Sequence, residues 1–124
     1  MTQPLALVVY ERLLPGSRLV NRLQDLSYRV HTLSDAASLV ETAEQVKPLV
    51  VLADLEPARS KVLALITRLR RNPATQHLPI IAFSTENTPE LETSTRAAGV
   101  TLLVSESAIL THLPQFLEQA LQVD

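Results

Sequence analysis

The sequence has no cysteine and only two glycines, Gly16 and Gly99. Without cysteine, the chain cannot form a disulfide framework or a thiolate metal site. Neither glycine lies in a glycine-rich loop, whereas P-loops and dinucleotide-binding loops need several glycines so that the backbone can approach phosphates closely. Both kinds of nucleotide site are therefore excluded.

The sequence also lacks a strong charge and a long apolar segment. Its formal net charge is -2, which gives no broad basic field for a phosphate backbone, so we expect no nucleic-acid partner. The longest apolar runs, such as "PLVVLA", are far shorter than the ~20 residues that span a bilayer, and the N-terminus lacks a charged-then-apolar pattern, so we expect no signal sequence. We expect a cytoplasmic protein with no membrane partner.

Apolar residues are plentiful, at 46% of the 124 residues, while charged residues make up 19%. This composition is typical of a folded chain, and the length suits one core, so we predict a single domain over residues 1–124. The three histidines lie in separate segments without ligand spacing, and no serine lies in a G-x-S-x-G turn. We therefore predict no histidine metal site and expect that the protein is not an enzyme.

Short solid apolar runs alternate with stretches of helical spacing, which predicts alternating strands and helices. The third run is the most uniformly apolar, as the central strand of a parallel sheet would be, and the second alternates like an edge strand. The five predicted strands are Leu5 to Tyr10, Tyr28 to Leu33, Leu49 to Ala53, Pro79 to Ser84 and Val100 to Ser105.

Two of the predicted helices have particular features. The fourth begins with Thr88 as N-cap and ends at Gly99, and its apolar stripe is thin. A thinly anchored helix is a candidate for movement. The last helix carries a continuous stripe from Ile109 to Leu121, and Pro114 fits if it lies in the first turn.

Alternating strands and helices with short connections predict a three-layer α/β fold, in which helices cover both faces of a doubly wound, five-stranded parallel sheet. Functional groups in such sheets gather at the carboxyl ends of the strands. We therefore expect the residues that end the first, third, fourth and fifth strands to meet at one edge: Tyr10, Glu11, Asp54, Ser84, Thr85, Ser105 and Glu106.

Three stretches make the sequence resemble the receiver domains of two-component response regulators over essentially its whole length. They are "PLVVLAD", "LRRNPATQHLPIIAFST" and "AAGVTLLVSES". The resemblance implies a flavodoxin-like (CheY-like) fold with strand order 2-1-3-4-5. It also implies phosphorelay signal transduction, with a sensor histidine kinase or a downstream signalling protein as partner.

The resemblance also assigns roles to residues at the strand ends. In receiver domains, an aspartate after strand three accepts a phosphoryl group, acids after strand one hold Mg²⁺, and a Ser or Thr after strand four binds the phosphoryl oxygen. Asp54 matches the phosphoacceptor, and Ser84, followed by Thr85, matches the hydroxyl position. The acidic pair falls on Tyr10 and Glu11, so one acid remains.

Other positions depart from the receiver pattern. Glu106 stands where receivers have a lysine, Leu103 stands where they have a strand-five aromatic, and Glu56 adds an acid near Asp54. At ~4 Å, repulsion between like charges costs about 1 kcal/mol in water and about 4 kcal/mol at an effective dielectric of 20. We therefore expect slow or absent phosphorylation at Asp54, and weak Mg²⁺ binding, if any, by Glu11 and Asp54.

The acids at this edge lead to two further expectations. Asp54, Glu11, Glu56 and Glu106 are expected to form an acidic rim without a nearby cation, which either has raised proton affinity or binds a divalent ion in an altered arrangement. Tyr10 is large enough to cover the pocket. A plainer interpretation remains open, in which Asp54 caps the following turn and the glutamates are solvated charges.

The residues leave three functions open. The first is a degenerate receiver, or pseudo-receiver, that acts by protein–protein interaction. The second is a phospho-accepting response-regulator receiver that uses Asp54 and Mg²⁺. The third is a small flavodoxin-like enzyme or cofactor carrier, which the lack of a phosphate loop disfavours.

The resemblance also predicts where partners bind. Receivers commonly use the fourth helix, the fifth strand and the last helix as a contact face for dimers and targets. We expect partner binding, and any homodimer, at this face, with output through a separate protein.

Overall fold

The structure is a computed structural model that describes residues 4–10, 12–56, 59–85 and 88–121. Each of the five predicted apolar runs forms a strand, with ends that differ slightly from the prediction. The strands are β1 (Leu5–Val9), β2 (Arg29–Leu33), β3 (Val50–Asp54), β4 (Ile80–Ser84) and β5 (Leu102–Ser105).

The strands form one parallel sheet in the order β2-β1-β3-β4-β5. This order confirms the prediction. Every residue of the central strand β3 is buried, whereas β2 is mostly exposed, as expected of an edge strand. Because all five strands run in the same direction, their carboxyl ends lie along one edge of the sheet.

Helices cover both faces of the sheet. Leu19, Leu23, Ile109, Leu113 and Leu117 pack on one face, and the opposite face is covered by a core that includes Leu39, Val62, Ile66, Leu69 and Leu91. The helices are α1 (Leu13–Asp25), α2 (Leu39–Val46, after a 3₁₀ turn at Ala36–Ser38), α3 (Arg59–Arg71), α4 (Pro89–Ala98), α5 (Glu106–Thr111) and α6 (Leu113–Leu121). No helix in the described ranges is long and apolar enough to cross a membrane.

The ends of α4 are as predicted. The Thr88 side chain accepts a hydrogen bond from the Leu91 amide at 3.1 Å, and Pro89 occupies the first turn. Gly99 ends the helix with φ +99°, a left-handed conformation that glycine adopts without strain. Three residues of α4 are buried, Leu91, Thr95 and Ala98, so its anchoring stripe is thin.

The prediction of one last helix is wrong. The apolar stripe continues from Ile109 to Leu121, but the helix breaks at His112 into α5 and α6. Pro114 explains the break, because it has no amide hydrogen to donate to the preceding turn and therefore fits only in the first turn of a new helix. The apolar stripe shows no sign of this break, because both helices pack on the same face of the sheet.

Arg70 of α3 fixes two loops at the amino edge of the sheet. Its guanidinium donates to the carbonyl oxygens of Gln76, Leu78 and Gly99 at 2.8, 2.6 and 2.7 Å, and to the Thr101 hydroxyl at 3.1 Å. A Cβ on Gly99 would lie 2.5 Å from Arg70 Cγ. Gly99 is therefore required both for its φ and for the approach of Arg70.

Candidate functional site

Three of the four acids predicted to form a rim, Asp54, Glu56 and Glu106, lie at the carboxyl edge of the sheet. Asp54 ends β3 and is 1% exposed, while Ser84 ends β4 and is fully buried. Ser84 pairs with Ser105 in β5, and Glu106 follows as the first residue of α5. Glu11, which was predicted as a metal ligand, lies outside the described residues.

Asp54 is held by Arg12, the residue that precedes α1. Arg12 Nε donates to Asp54 Oδ2 and Arg12 Nη2 donates to Asp54 Oδ1, each at 2.8 Å. The Asp54 side chain is completely buried, and that of Arg12 is 31% exposed. A planar guanidinium matches both oxygens of a carboxylate, and such charge-assisted pairs are stronger than neutral hydrogen bonds.

The same guanidinium also neutralises Glu106. Arg12 Nη2 donates to Glu106 Oε1 at 2.5 Å, so one cation bridges the ends of β3 and β5. The expectation of a rim without a nearby cation is therefore wrong. The buried Asp54 carboxylate and the partly exposed Glu106 carboxylate share one counter-charge, which a residue from the β1–α1 connection supplies.

Glu56 binds the end of β4. Its carboxylate accepts hydrogen bonds from the Ser84 hydroxyl at 2.5 Å, the Thr85 amide at 3.0 Å and the Thr85 hydroxyl at 2.8 Å. These bonds, chiefly the one from Ser84, together with the Arg12 charge lower the pKa of Glu56 to about 2. The expectation of raised proton affinity is therefore wrong for Glu56.

Asp54 also shapes the turn that presents Glu56. The Glu56 amide donates to Asp54 Oδ1 at 3.0 Å, which is the two-residue pattern of an aspartate turn. The plainer interpretation of Asp54, as a residue that caps the following turn, is thus observed. The interaction occurs together with the Arg12 pair, because a carboxylate oxygen accepts more than one hydrogen bond.

The Tyr10 ring lies against α1. A Cβ on Gly16 would lie 2.1 Å from Tyr10 Cδ2, and the ring packs beside the core on the α1, α5 and α6 face. Gly16 therefore provides the space that the ring occupies. An isolated glycine within a helix, such as Gly16 in α1, is the kind of sequence signal that accompanies a close approach.

Leu103 lies in β5 and is half-buried beside the core on the α2, α3 and α4 face. It also lines a groove of about 380 Å³ between α4 and β5. The other lining residues are Glu92, Thr95, Arg96, Val100 and Thr101. This groove lies on the face predicted to bind partners.

The described residues do not fit a magnesium ion at Asp54. Both of its oxygens already accept hydrogen bonds from Arg12, and Oδ1 also accepts one from the Glu56 amide. Within the ranges that the structure covers, no group of three or more His, Cys, Asp or Glu residues is placed to hold a metal ion. The cation beside this carboxylate is the guanidinium of Arg12, a side chain of the protein itself.

Solved structures that share this architecture identify the fold. The chemotaxis protein CheY4 of Vibrio cholerae superposes with a TM-score of 0.86 at 20% identity, over 96% of this chain and 99% of that one. The chain has the fold of a response-regulator receiver domain. No family model and no curated protein sequence matches the chain.

Two further structures have the same receiver fold. A response regulator from Thermotoga maritima aligns with a TM-score of 0.82 at 18% identity, over 97% of this chain and 98% of that one. The receiver domain of a signal transduction histidine kinase from Syntrophus aciditrophicus aligns with a TM-score of 0.83 at 15% identity, over 95% and 89%. The predicted flavodoxin-like, CheY-like fold is thus confirmed.

Arg12 is the site residue that the sequence did not reveal. It is separated from Asp54 by 42 positions and from Glu106 by 94, so no local pattern connects them. Charge balance was the available signal, because a buried acid such as Asp54 requires a cation and Arg12 lies in the connection that follows β1.

Proposed function

We propose that this protein is a signal-transduction receiver module of the two-component phosphorelay type that acts by protein–protein interaction, with weak or no phosphorylation at Asp54. The observation that carries the proposal is the double hydrogen bond from Arg12 to Asp54. The receiver fold supports the signalling class, and the Arg12 pair argues against phosphoryl transfer.

A carboxylate that accepts a phosphoryl group must offer one oxygen as nucleophile, and the negative charge that gathers there must be balanced. Both Asp54 oxygens are engaged by Arg12, and displacing that side chain would leave a buried carboxylate unpaired, at a cost of about 2 kcal/mol or more. Glu106 stands at the lysine position of receivers and occupies Arg12 Nη2, so this position offers no cation to an incoming phosphoryl group. Phosphorylation is therefore opposed by both effects.

The proposed partners are a sensor histidine kinase or a downstream signalling protein, met in the cytoplasm. They would bind at the groove between α4 and β5 and at the adjoining α5 and α6, the face through which a homodimer would also form. The thin buried stripe of α4 supports this choice, because a lightly anchored helix adjusts to a partner at low cost. Binding, without catalysis, would be the output of the module.

Beryllofluoride with Mg²⁺ tests the proposal, because it forms a phosphoryl-like adduct on receptive aspartates. We expect the amide resonances of Asp54, Ser84 and Leu103 in the wild type to be unchanged by the reagent. Asp54→Asn provides the blank, and a receiver known to be phosphorylated provides the positive control. A saturable shift at these amides in the wild type, absent from Asp54→Asn, would favour the phospho-accepting alternative.

A further inference from the structure

Three donors at the end of β4 point at one anion. The Ser84 hydroxyl, the Thr85 amide and the Thr85 hydroxyl all donate to the Glu56 carboxylate. A backbone amide and two hydroxyls that converge on two oxygen atoms are the elements of a small oxyanion site. The occupant of this site is a side chain of the same molecule.

Contacts on the other side of Glu56 orient this carboxylate. The Glu56 amide donates to Asp54 Oδ1, and Asp54 is held in turn by the fork of Arg12. Arg12, Asp54, Glu56 and Ser84 therefore form one continuous chain of hydrogen bonds from the start of α1 to the end of β4. Among the described residues, no buried side-chain polar atom lacks a partner.

We propose that Glu56 is a tethered anion that fills an oxyanion-binding site made by Ser84 and Thr85, a site that would otherwise accept a free oxyanion such as inorganic phosphate. The carboxyl end of β4 is then held in its bound arrangement by the chain itself. The consequence for signalling rests on the proposed function: the end of β4 keeps this arrangement without phosphorylation, so a partner would meet it in one state.

Covalent attachment explains why the side chain prevails over a free anion. A group on a short tether has an effective concentration of about millimolar or more, and it pays no translational cost on binding. Ser84 is fully buried, so its hydroxyl needs a partner, and Glu56 provides a charged one. The low pKa of Glu56 is consistent with a carboxylate that remains ionised in this site.

Titration with inorganic phosphate, followed by amide NMR at Thr85, tests the proposal. In the wild type we expect a Thr85 amide resonance that does not respond to phosphate beyond the effect of sodium chloride at matched ionic strength. In Glu56→Ala we expect a displaced Thr85 resonance and a new, saturable phosphate response. Adding Ser84→Ala to Glu56→Ala should weaken that response several-fold.

Matched variants keep this test decisive. Glu118→Ala removes a glutamate on an exposed position of α6 and should behave as the wild type. If Glu56→Ala does not fold, Glu56→Ser replaces it, since the serine side chain is uncharged and too short to fill the site made by Ser84 and Thr85. A Thr85 resonance that is the same in the Glu56 variant and the wild type, or a Glu56 variant that gains no phosphate response, would overturn the proposal.

Failure of this proposal and failure of the proposed function are distinguishable. Inorganic phosphate carries no activated phosphoryl group, so the titration does not modify Asp54. Repeating it in Asp54→Asn, with and without the Glu56 change, shows whether the oxyanion site forms independently of the acceptor. A wild type that is phosphorylated at Asp54 would refute the proposed function, and the Thr85 titration would still decide the role of Glu56.

Discussion

Arg12 and Asp54 face each other at the carboxyl edge of the sheet, joined by two hydrogen bonds of 2.8 Å. One residue comes from the start of α1 and the other from the tip of β3. The guanidinium also binds Glu106, so the three chain segments depend on one cation.

Arg12→Ala should lower the free energy of unfolding by about 2 kcal/mol or more, because it leaves the buried Asp54 carboxylate without its partner. Urea denaturation measures the change. Arg18→Ala, at an exposed position of α1, is the matched control and should cost less than about 0.5 kcal/mol. Equal losses in the two variants would mean that the Arg12 pair does not stabilise the fold.

The lowered pKa of Glu56 predicts that the protein loses stability in acid. Its folded-state pKa of about 2 lies below its ordinary value of 4.5, so its contribution is complete above pH ~5 and is lost as the pH falls toward ~2. Glu56→Gln should remove this part of the pH dependence and leave a shallower decline. Thermal unfolding from pH 7 to pH 2 measures the effect, and parallel curves for wild type and variant would refute it.

Gly16→Ala should destabilise the protein by about 1 to 3 kcal/mol, because the new methyl group would overlap the Tyr10 ring. In a Tyr10→Ala background the same change should be neutral or stabilising, since alanine is the better helix former by about 1 kcal/mol. Chemical denaturation of the four proteins in this cycle checks the sign change. A similar loss of stability in both backgrounds would show that the Tyr10 ring is not what requires glycine at position 16.

Arg70→Ala should release the loops that lead into β4 and β5, because it removes four hydrogen bonds. We expect a loss of about 2 to 4 kcal/mol and faster hydrogen exchange near Leu78 and Thr101. Arg71→Ala, at an exposed position of the same helix, serves as the control. Unchanged exchange at both loops would contradict the role given to Arg70.

The fold was predictable because its signals are local. The uniformly apolar run of β3, the alternation of apolar and polar residues in β2, and the Thr88 and Gly99 ends of α4 all appear within short windows of sequence. The break at His112 was missed because the apolar stripe continues across it. The position of Pro114 predicts the first turn of a helix, but it does not show whether another helix ends just before it.

The site was only partly predictable because its contacts are distant in sequence. Strand order brought Asp54, Ser84, Thr85 and Glu106 to one edge, as expected. The side chains that satisfy them could not be read from spacing, since Glu56 reaches Ser84 across 28 positions and Arg12 reaches Glu106 across 94. An arginine beside a strand tip does not reveal by sequence alone which carboxylate it binds.

Whether Asp54 accepts a phosphoryl group is tested most directly by the intact mass of the wild-type protein after incubation with acetyl phosphate and Mg²⁺, compared with that of Asp54→Asn. Because Arg12 engages both oxygens of Asp54, the mass should stay that of the unmodified chain in both proteins. Near-stoichiometric addition of one phosphoryl group to the wild type, absent from Asp54→Asn, would contradict the account.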